Sequence, residues 1–237
     1  MRDPGLNLKN QILDRVSQQL HPSVWTPVDF LDLGLRDAVD KVLQRLVHAG
    51  TLRRIDRGLY DQPRDNLLTG KPSTPDYRSV LDAIARRDQV RLLVDGMTAA
   101  NDLGLTDAVP GQVIIHTDGR LRPIKLGNLV LMFRHTAPSK LYWAGRPGMR
   151  VVQALHWLRD SINQEGDVIQ GRLRRLFQDP QYGIALQEDL VAGLTTLPAW
   201  MQQFLRGVMQ DMALPDTKNP PKKLPRSVRS RSQTIPT

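Results

Sequence analysis

Apolar residues along the first fifty positions recur at helical spacing, and each run ends on a clear stop. Leu8, Ile12, Leu13, Val16 and Leu20 predict a helix over residues 6–20. His21-Pro22 ends it, because the ring of Pro22 disfavours helical geometry in the residue before it. Thr26 precedes Pro27 as an N-cap before a proline at the first helical position, which predicts a short helix over 27–33 with Gly34 at the turn. The cleanest stripe follows over 35–49, where Ala38, Val39, Val42, Leu43, Leu46 and Val47 share one face and Gly50 stands at the C-cap. The spacing then changes to that of a hairpin, with Asp56-Arg57-Gly58 at its turn and Leu52, Ile55, Leu59 and Tyr60 available to pack on the helices.

Residues 63–76 are rich in Pro, Gly, Asn, Ser and Thr and read as a linker. A second module over 77–213 opens with a helix over 77–87, a strand over 91–94 and a small-residue helix over 96–105. Three strands follow at 112–117, 121–126 and 129–135, with turns at Asp118-Gly119 and Gly127-Asn128; hairpin connections would make them antiparallel. Helices are expected at 149–159, 167–177, 184–193 and 199–213. From residue 214 few apolar positions remain, so 214–237 is expected to be a disordered basic tail. The fold class expected is α+β: a winged helix-turn-helix over 1–62, then a mixed domain with a small antiparallel sheet and several helices.

Composition narrows the chemistry. The 237 residues contain no cysteine, which excludes disulfides and thiolate metal sites. The five histidines (His21, His48, His116, His135, His156) show no metal-ligand spacing, so no metal is expected. No nucleophile elbow, phosphate-binding loop or dinucleotide fingerprint occurs, and with glutamate present only at Glu165 and Glu188 paired-carboxylate catalysis has little to draw on. Asp118 and Lys125 suggest a nuclease-like strand pair, but the acid expected before the lysine is missing. Catalytic residues and cofactors are therefore expected to be absent. There is neither a signal-peptide pattern nor an apolar run long enough to span a bilayer, so a cytoplasmic protein without a membrane partner is expected.

The formal charge of +9 favours a polyanionic partner, although the tail holds six basic residues against one acid, so the body is less basic than the total suggests. Arginine outnumbers lysine 25 to 8, which suits bidentate contacts to phosphate or guanine. Opposite the apolar stripe of residues 35–49, Arg36, Lys41, Gln44 and Arg45 stand where they could reach base edges or phosphates. An ordinary solvated helix face with an Asp37–Lys41 pair would look similar. The adjoining hairpin shifts the balance, since Arg53, Arg54 and Arg57 gather around one tight turn and could hold the backbone or a neighbouring minor groove. Thr26, at the start of the supporting helix, would offer free N–H groups to a phosphate. The expected partner is double-stranded DNA; a protein-interaction module and a nucleic-acid-processing enzyme are the alternatives.

Several longer segments carry a resemblance. Asp-Phe-Leu-Asp-Leu-Gly (29–34), Ala-Val-Asp-Lys-Val-Leu-Gln-Arg-Leu-Val (38–47) and Gly-Thr-Leu-Arg-Arg-Ile-Asp-Arg-Gly-Leu-Tyr-Asp-Gln-Pro-Arg (50–64) resemble the winged-helix region of AbiEi-type antitoxins, in the branch catalogued as a domain of unknown function. Asp-Gly-Met-Thr-Ala-Ala-Asn-Asp-Leu-Gly-Leu (95–105), the Thr-Asp-Gly turn (117–119), Phe-Arg-His-Thr-Ala-Pro (133–138) and Val-Val-Gln-Ala-Leu-His-Trp-Leu (151–158) are similar to its second domain. The likeness spans about residues 6–160 and departs at Leu35 and Asp95, where relatives often carry Ser. It implies a bacterial repressor that binds inverted repeats in its own operator. It also implies the antitoxin of a type IV toxin–antitoxin operon, countering an AbiEii-like nucleotidyltransferase toxin without a stable complex.

Overall fold

Two hydrophobic cores organise the chain, and one small sheet belongs to both. The computed structural model describes residues 4–18, 24–64, 70 and 72–213. The helix stop at His21-Pro22 and the tail over 214–237 lie outside the described residues. Helix α1 (Pro4–Ser17) buries Leu8, Ile12 and Val16 against α2 (Arg36–His48), which contributes Val39, Val42, Leu43 and Leu46. Ala38, placed in the apolar stripe by sequence, is exposed instead. Between the helices lie strand β1 (Val24–Trp25) and a 3-10 turn (Pro27–Phe30), shorter than the α-helix expected there. Arg15 ties α1 to this turn through both Asp32 oxygens, at 2.7 and 2.6 Å, and through the Asp29 carbonyl.

Gly50, at φ 71°, ends α2, and the chain turns into β2 (Arg53–Asp56) and β3 (Leu59–Asp61). Gly58 takes φ 68° at the two-residue tip, a left-handed conformation that a Cβ would strain. The strands order β1-β3-β2, all antiparallel. Trp25 and Tyr60 face the first core, whereas Val24 and Leu59 join the second, with Ile55 packed against it.

The second core is built around α3 (Tyr77–Asp88), β4 (Leu92–Val94), α4 (Gly96–Asp102), β5 (Gln112–Thr117), β6 (Ile124–Leu126), β7 (Leu129–His135) and α5 (Met149–Trp157). Strands order β4-β5-β7-β6. The expected hairpin meander over β5, β6 and β7 is wrong. β5 pairs with β7 in parallel, and only β6–β7 is a tight hairpin. Residues 118–123 stay out of the ladder, and Pro123, lacking an N–H, confines the three-residue β6 to an edge. The longer, apolar β7 takes the centre, with Leu131 fully buried. Helices α6 (Ile162–Phe177), α7 (Gly183–Gly193) and α8 (Ala199–Ala213) close the same core through Leu173, Phe177, Leu190, Met201, Leu205 and Val208. The protein is thus α+β, with a small antiparallel sheet and a mixed sheet. Among the described residues no helix is long and apolar enough to cross a membrane.

Local caps set these elements. Asp95 caps α4 by accepting from the Thr98 N–H at 3.0 Å and its hydroxyl at 2.7 Å, and it also receives the Ile114 N–H of β5. An Asp in that position therefore serves as the cap. A Cβ on Gly96 would stand 2.5 Å from the Trp157 Cβ, so glycine is what lets α4 lie against α5. The α3–α4–α5 joint is polar: Asp102, its side chain 4% exposed, accepts from Arg78 at 2.6 Å, from Arg150 at 2.9 Å and from the Tyr77 hydroxyl. Burial pushes the Asp102 carboxyl up, but these three donors outweigh it and hold the group below the usual carboxylate range.

Two outcomes follow from this packing. Leu59 is 0% exposed in the shared sheet, so Leu59→Ala should lower stability by about 3 kcal/mol through the cavity it leaves. Amide exchange in α2 and β5 should accelerate together; acceleration in one core alone would show the two to be independent. The Asp102 carboxyl is depressed on folding, so its contribution is present above the unfolded value near ~3.9 and vanishes as pH falls through the lower folded one. Asp102→Asn should cost about 2 kcal/mol at neutral pH, less than a fully buried pair because both arginines keep solvent contact, and should flatten the acid limb of the stability curve in urea titrations.

Candidate nucleic-acid interface

The exposed face of α2 carries Asp37, Lys41, Gln44, Arg45 and His48, opposite the buried Val39, Val42, Leu43 and Leu46. Lys41, Gln44 and Arg45 have no side-chain hydrogen bond or ion pair with any described residue. The ion pair on this helix is Arg36–Asp40 at 2.9 Å rather than Asp37–Lys41, so Lys41 keeps its charge for solvent or a ligand. Leu35 leaves the α2 N-terminus without a side-chain cap and is itself 84% exposed. Three amphiphilic donors on adjacent turns can bond base edges or phosphate oxygens, and nothing within the described fold competes for them.

The hairpin divides its three arginines among different roles. Arg54 is exposed on the edge strand, its Nε making only a 3.4 Å contact to the Asp56 carbonyl. Arg57 is exposed at the tip, its side chain unpartnered among the described residues while its carbonyl accepts from Arg87 of α3 at 2.6 Å. Arg36 and Arg57 line one recess between the tip and the second core. Arg53 does not belong with them. Its guanidinium spans Asp61 at 3.0 and 2.5 Å and donates to the Ser73 carbonyl at 2.9 Å, and the hydrogen bond to Asp61 raises its pKa further. A regular two-residue hairpin would set Arg54 opposite Asp61. A register shift between Arg54 and Asp56 puts Arg53 there instead.

Thr26 is a second correction. It is 0% exposed, and its N–H and hydroxyl both donate to Asp29, at 2.7 and 3.0 Å. Asp29 also lies 3.4 Å from Arg86 of α3, which in turn donates to the Val24 carbonyl. The groups expected to meet a phosphate are consumed inside the protein, behind a carboxylate that would repel one. Of the eight sequence candidates, Arg36, Lys41, Gln44, Arg45, Arg54 and Arg57 remain at the surface, whereas Thr26 and Arg53 are structural.

Comparison with known proteins adds a family. The model of a family of unknown function, DUF6088, matches residues 11–179, spanning both cores. The chain belongs to the DUF6088 family. No curated protein matches it in sequence. Among solved structures it is similar to the Rv2827c protein of Mycobacterium tuberculosis, at 17% identity over 87% of this chain and 77% of that one, with a TM-score of 0.37.

Within this DUF6088 chain the sequence reading missed Arg86 and Arg87, whose positions at the end of α3 gave no hint of a contact with residues 24–29 and 57. It also missed Arg120, just outside the expected strand 121–126, and Arg122, read as part of it; both are placed on an exposed loop facing the hairpin tip. The Thr-Asp-Gly turn was legible in part: the Thr117 hydroxyl accepts the Gly119 N–H, while Asp118 anchors Arg91 at 2.9 Å, which occupies the carboxylate once considered nuclease-like. Arg53→Ala should lower stability by about 2 kcal/mol, because Asp61 is left buried and unpaired. Arg54→Ala should leave the urea midpoint unchanged; equal losses in the two variants would refute this division of roles.

Proposed function

We propose that this chain is a sequence-specific, double-stranded-DNA-binding transcriptional repressor. The supporting observation is the cationic face of α2, whose Lys41, Gln44 and Arg45 have no described partner, beside a hairpin that exposes Arg54 and Arg57. A helix followed by such a hairpin is the order a winged helix-turn-helix uses, with the helix in the major groove and the wing on the adjoining backbone. Gln44 suits adenine and Arg45 guanine, while Lys41 and Arg54 serve as phosphate contacts. The protein acts by binding and not by catalysis, in the cytoplasm.

We further propose, on the resemblance of both modules to AbiEi-type antitoxins, that it represses its own operon at inverted repeats. In that reading its second domain counters an AbiEii-like nucleotidyltransferase toxin encoded beside it, without a stable complex. A protein-interaction role for the first unit is the competing reading, and the same experiment separates the two.

The test is a gel shift on the DNA upstream of its gene. Arg45→Ala and Gln44→Ala should each cost about 1–3 kcal/mol and relax specificity at one base pair. Lys41→Ala and Arg54→Ala should weaken binding to every sequence and lower the salt slope by about 1 each. Arg53→Ala, corrected for unfolded protein, should bind as the parent does. Operator affinity unchanged in a Lys41→Ala, Arg45→Ala, Arg54→Ala triple variant would overturn the DNA reading and favour a protein partner.

A further inference from the structure

The recess beside the hairpin tip has a volume of about 530 Å³ and lies between the two cores. Five arginines line it: Arg36 from the start of α2, Arg57 from the tip, Arg87 from α3, and Arg120 and Arg122 from the loop before β6. Two acids, Asp56 and Asp88, share the lining, and Asp88 is occupied by Arg87 at 2.8 and 2.6 Å. Arg36 is paired with Asp40. Arg57, Arg120 and Arg122 have no side-chain partner among the described residues.

Three unpaired guanidiniums from two distant segments repel one another, and a concave wall concentrates their potential. An anion with several charges relieves that repulsion, and phosphate oxygens fit the guanidinium fork best. The floor has a different chemistry. Leu121 and Phe133, half-buried and open to contact, supply its apolar surface, with buried Ile84 and Ile124 behind them. Duplex phosphates ride on protruding cations and make no use of an apolar floor inside a recess. A molecule with a polyphosphate at one end and a flat, weakly polar group at the other uses both, and the volume suits one such molecule.

We propose that this recess binds a nucleoside polyphosphate, its phosphates held by Arg57, Arg120 and Arg122 and its base resting on Leu121 and Phe133. Because Arg57 also stands at the edge of the α2 surface, the ligand would withdraw it from DNA. By linkage, ligand and operator would weaken each other equally. The binding site stands on its own geometry; only that last consequence rests on the DNA-binding reading.

The probe is ATP without magnesium, titrated calorimetrically into the full chain with no DNA present. ATP should bind, and Arg120→Ala with Arg122→Ala should weaken it by at least about tenfold while leaving the circular dichroism melt in place. Both residues lie on an exposed loop, so loss of fold is not expected. Tripolyphosphate should bind more weakly than ATP, and adenosine not detectably. No ATP binding, or equal binding by the double variant, overturns the proposal. Tripolyphosphate binding as tightly as ATP overturns the nucleoside assignment. A double variant that loses duplex DNA but retains ATP places these arginines in the nucleic-acid surface instead, and overturns it too. A parent protein that binds ATP but no operator would leave this site standing and remove the repressor reading.

Discussion

A three-stranded sheet whose strands β1 and β3 are buried on both faces is the constraint from which the other features derive. Antiparallel sheets commonly leave one face in water. Here Trp25 and Tyr60 fill the core of α1 and α2, while Val24 and Leu59 fill the core of α3 and the mixed sheet. A hairpin whose β3 strand is covered on both faces, with only the outer β2 edge exposing Arg54 and Asp56, has little room to swing. Arg86 and Arg87 fix it further, through the Val24 and Arg57 carbonyls. The two units are therefore joined through a common layer and not merely tethered by residues 63–76. Even that connection is held where it is described, since Ser73 bonds back to the Arg64 carbonyl and supplies the acceptor for Arg53.

This arrangement also explains how a strongly basic composition is distributed. Arg15, Arg53, Arg78, Arg86, Arg146 and Arg150 each hold a carboxylate. Arg146 adds stacking on Tyr142 and Trp143, at 4.5 and 4.8 Å from the ring centres. Much of the arginine excess is thus architectural, where a planar fork outperforms lysine at partly buried carboxylates. Among the described residues the cations without a side-chain partner include Lys41 and Arg45 on α2, Arg57 at the tip, and Arg120 and Arg122 across from it, while Lys9, Arg64, Lys125, Arg134 and Lys140 are scattered over the rest of the surface.

What the sequence made legible was periodic, and what it hid was tertiary. The stripe on α2, the glycine stop at Gly50 and the turn at Gly58 each follow from a local rule, and the α+β class followed from them. Register did not. One residue of bulge near Ile55 exchanges Arg53 and Arg54, turning a presumed DNA contact into a clamp on Asp61. Strand direction was hidden for a similar reason. Two hairpin-like turns in series suggest a meander, yet residues 118–123 are long enough to let β7 slip between β5 and β6. Thr26 was recognised correctly as a boundary residue, but its N–H and hydroxyl were already committed to an internal partner three residues on, at Asp29.

A hairpin held this firmly changes what the proposed DNA complex would require. A mobile wing adapts to the backbone it meets and loses conformational entropy in doing so; this hairpin has surrendered that freedom on folding. In the proposed complex fit would then come from α2 and the DNA, so discrimination would fall on Gln44 and Arg45 and on how readily the duplex bends toward a fixed tip. The same rigidity makes Arg57 a shared resource. Its guanidinium leaves an anchored backbone and lines the recess beside Arg120, so under the two proposals a duplex and the recess ligand would compete for one side chain. Two anionic ligands competing for one arginine need no conformational change between domains to oppose each other.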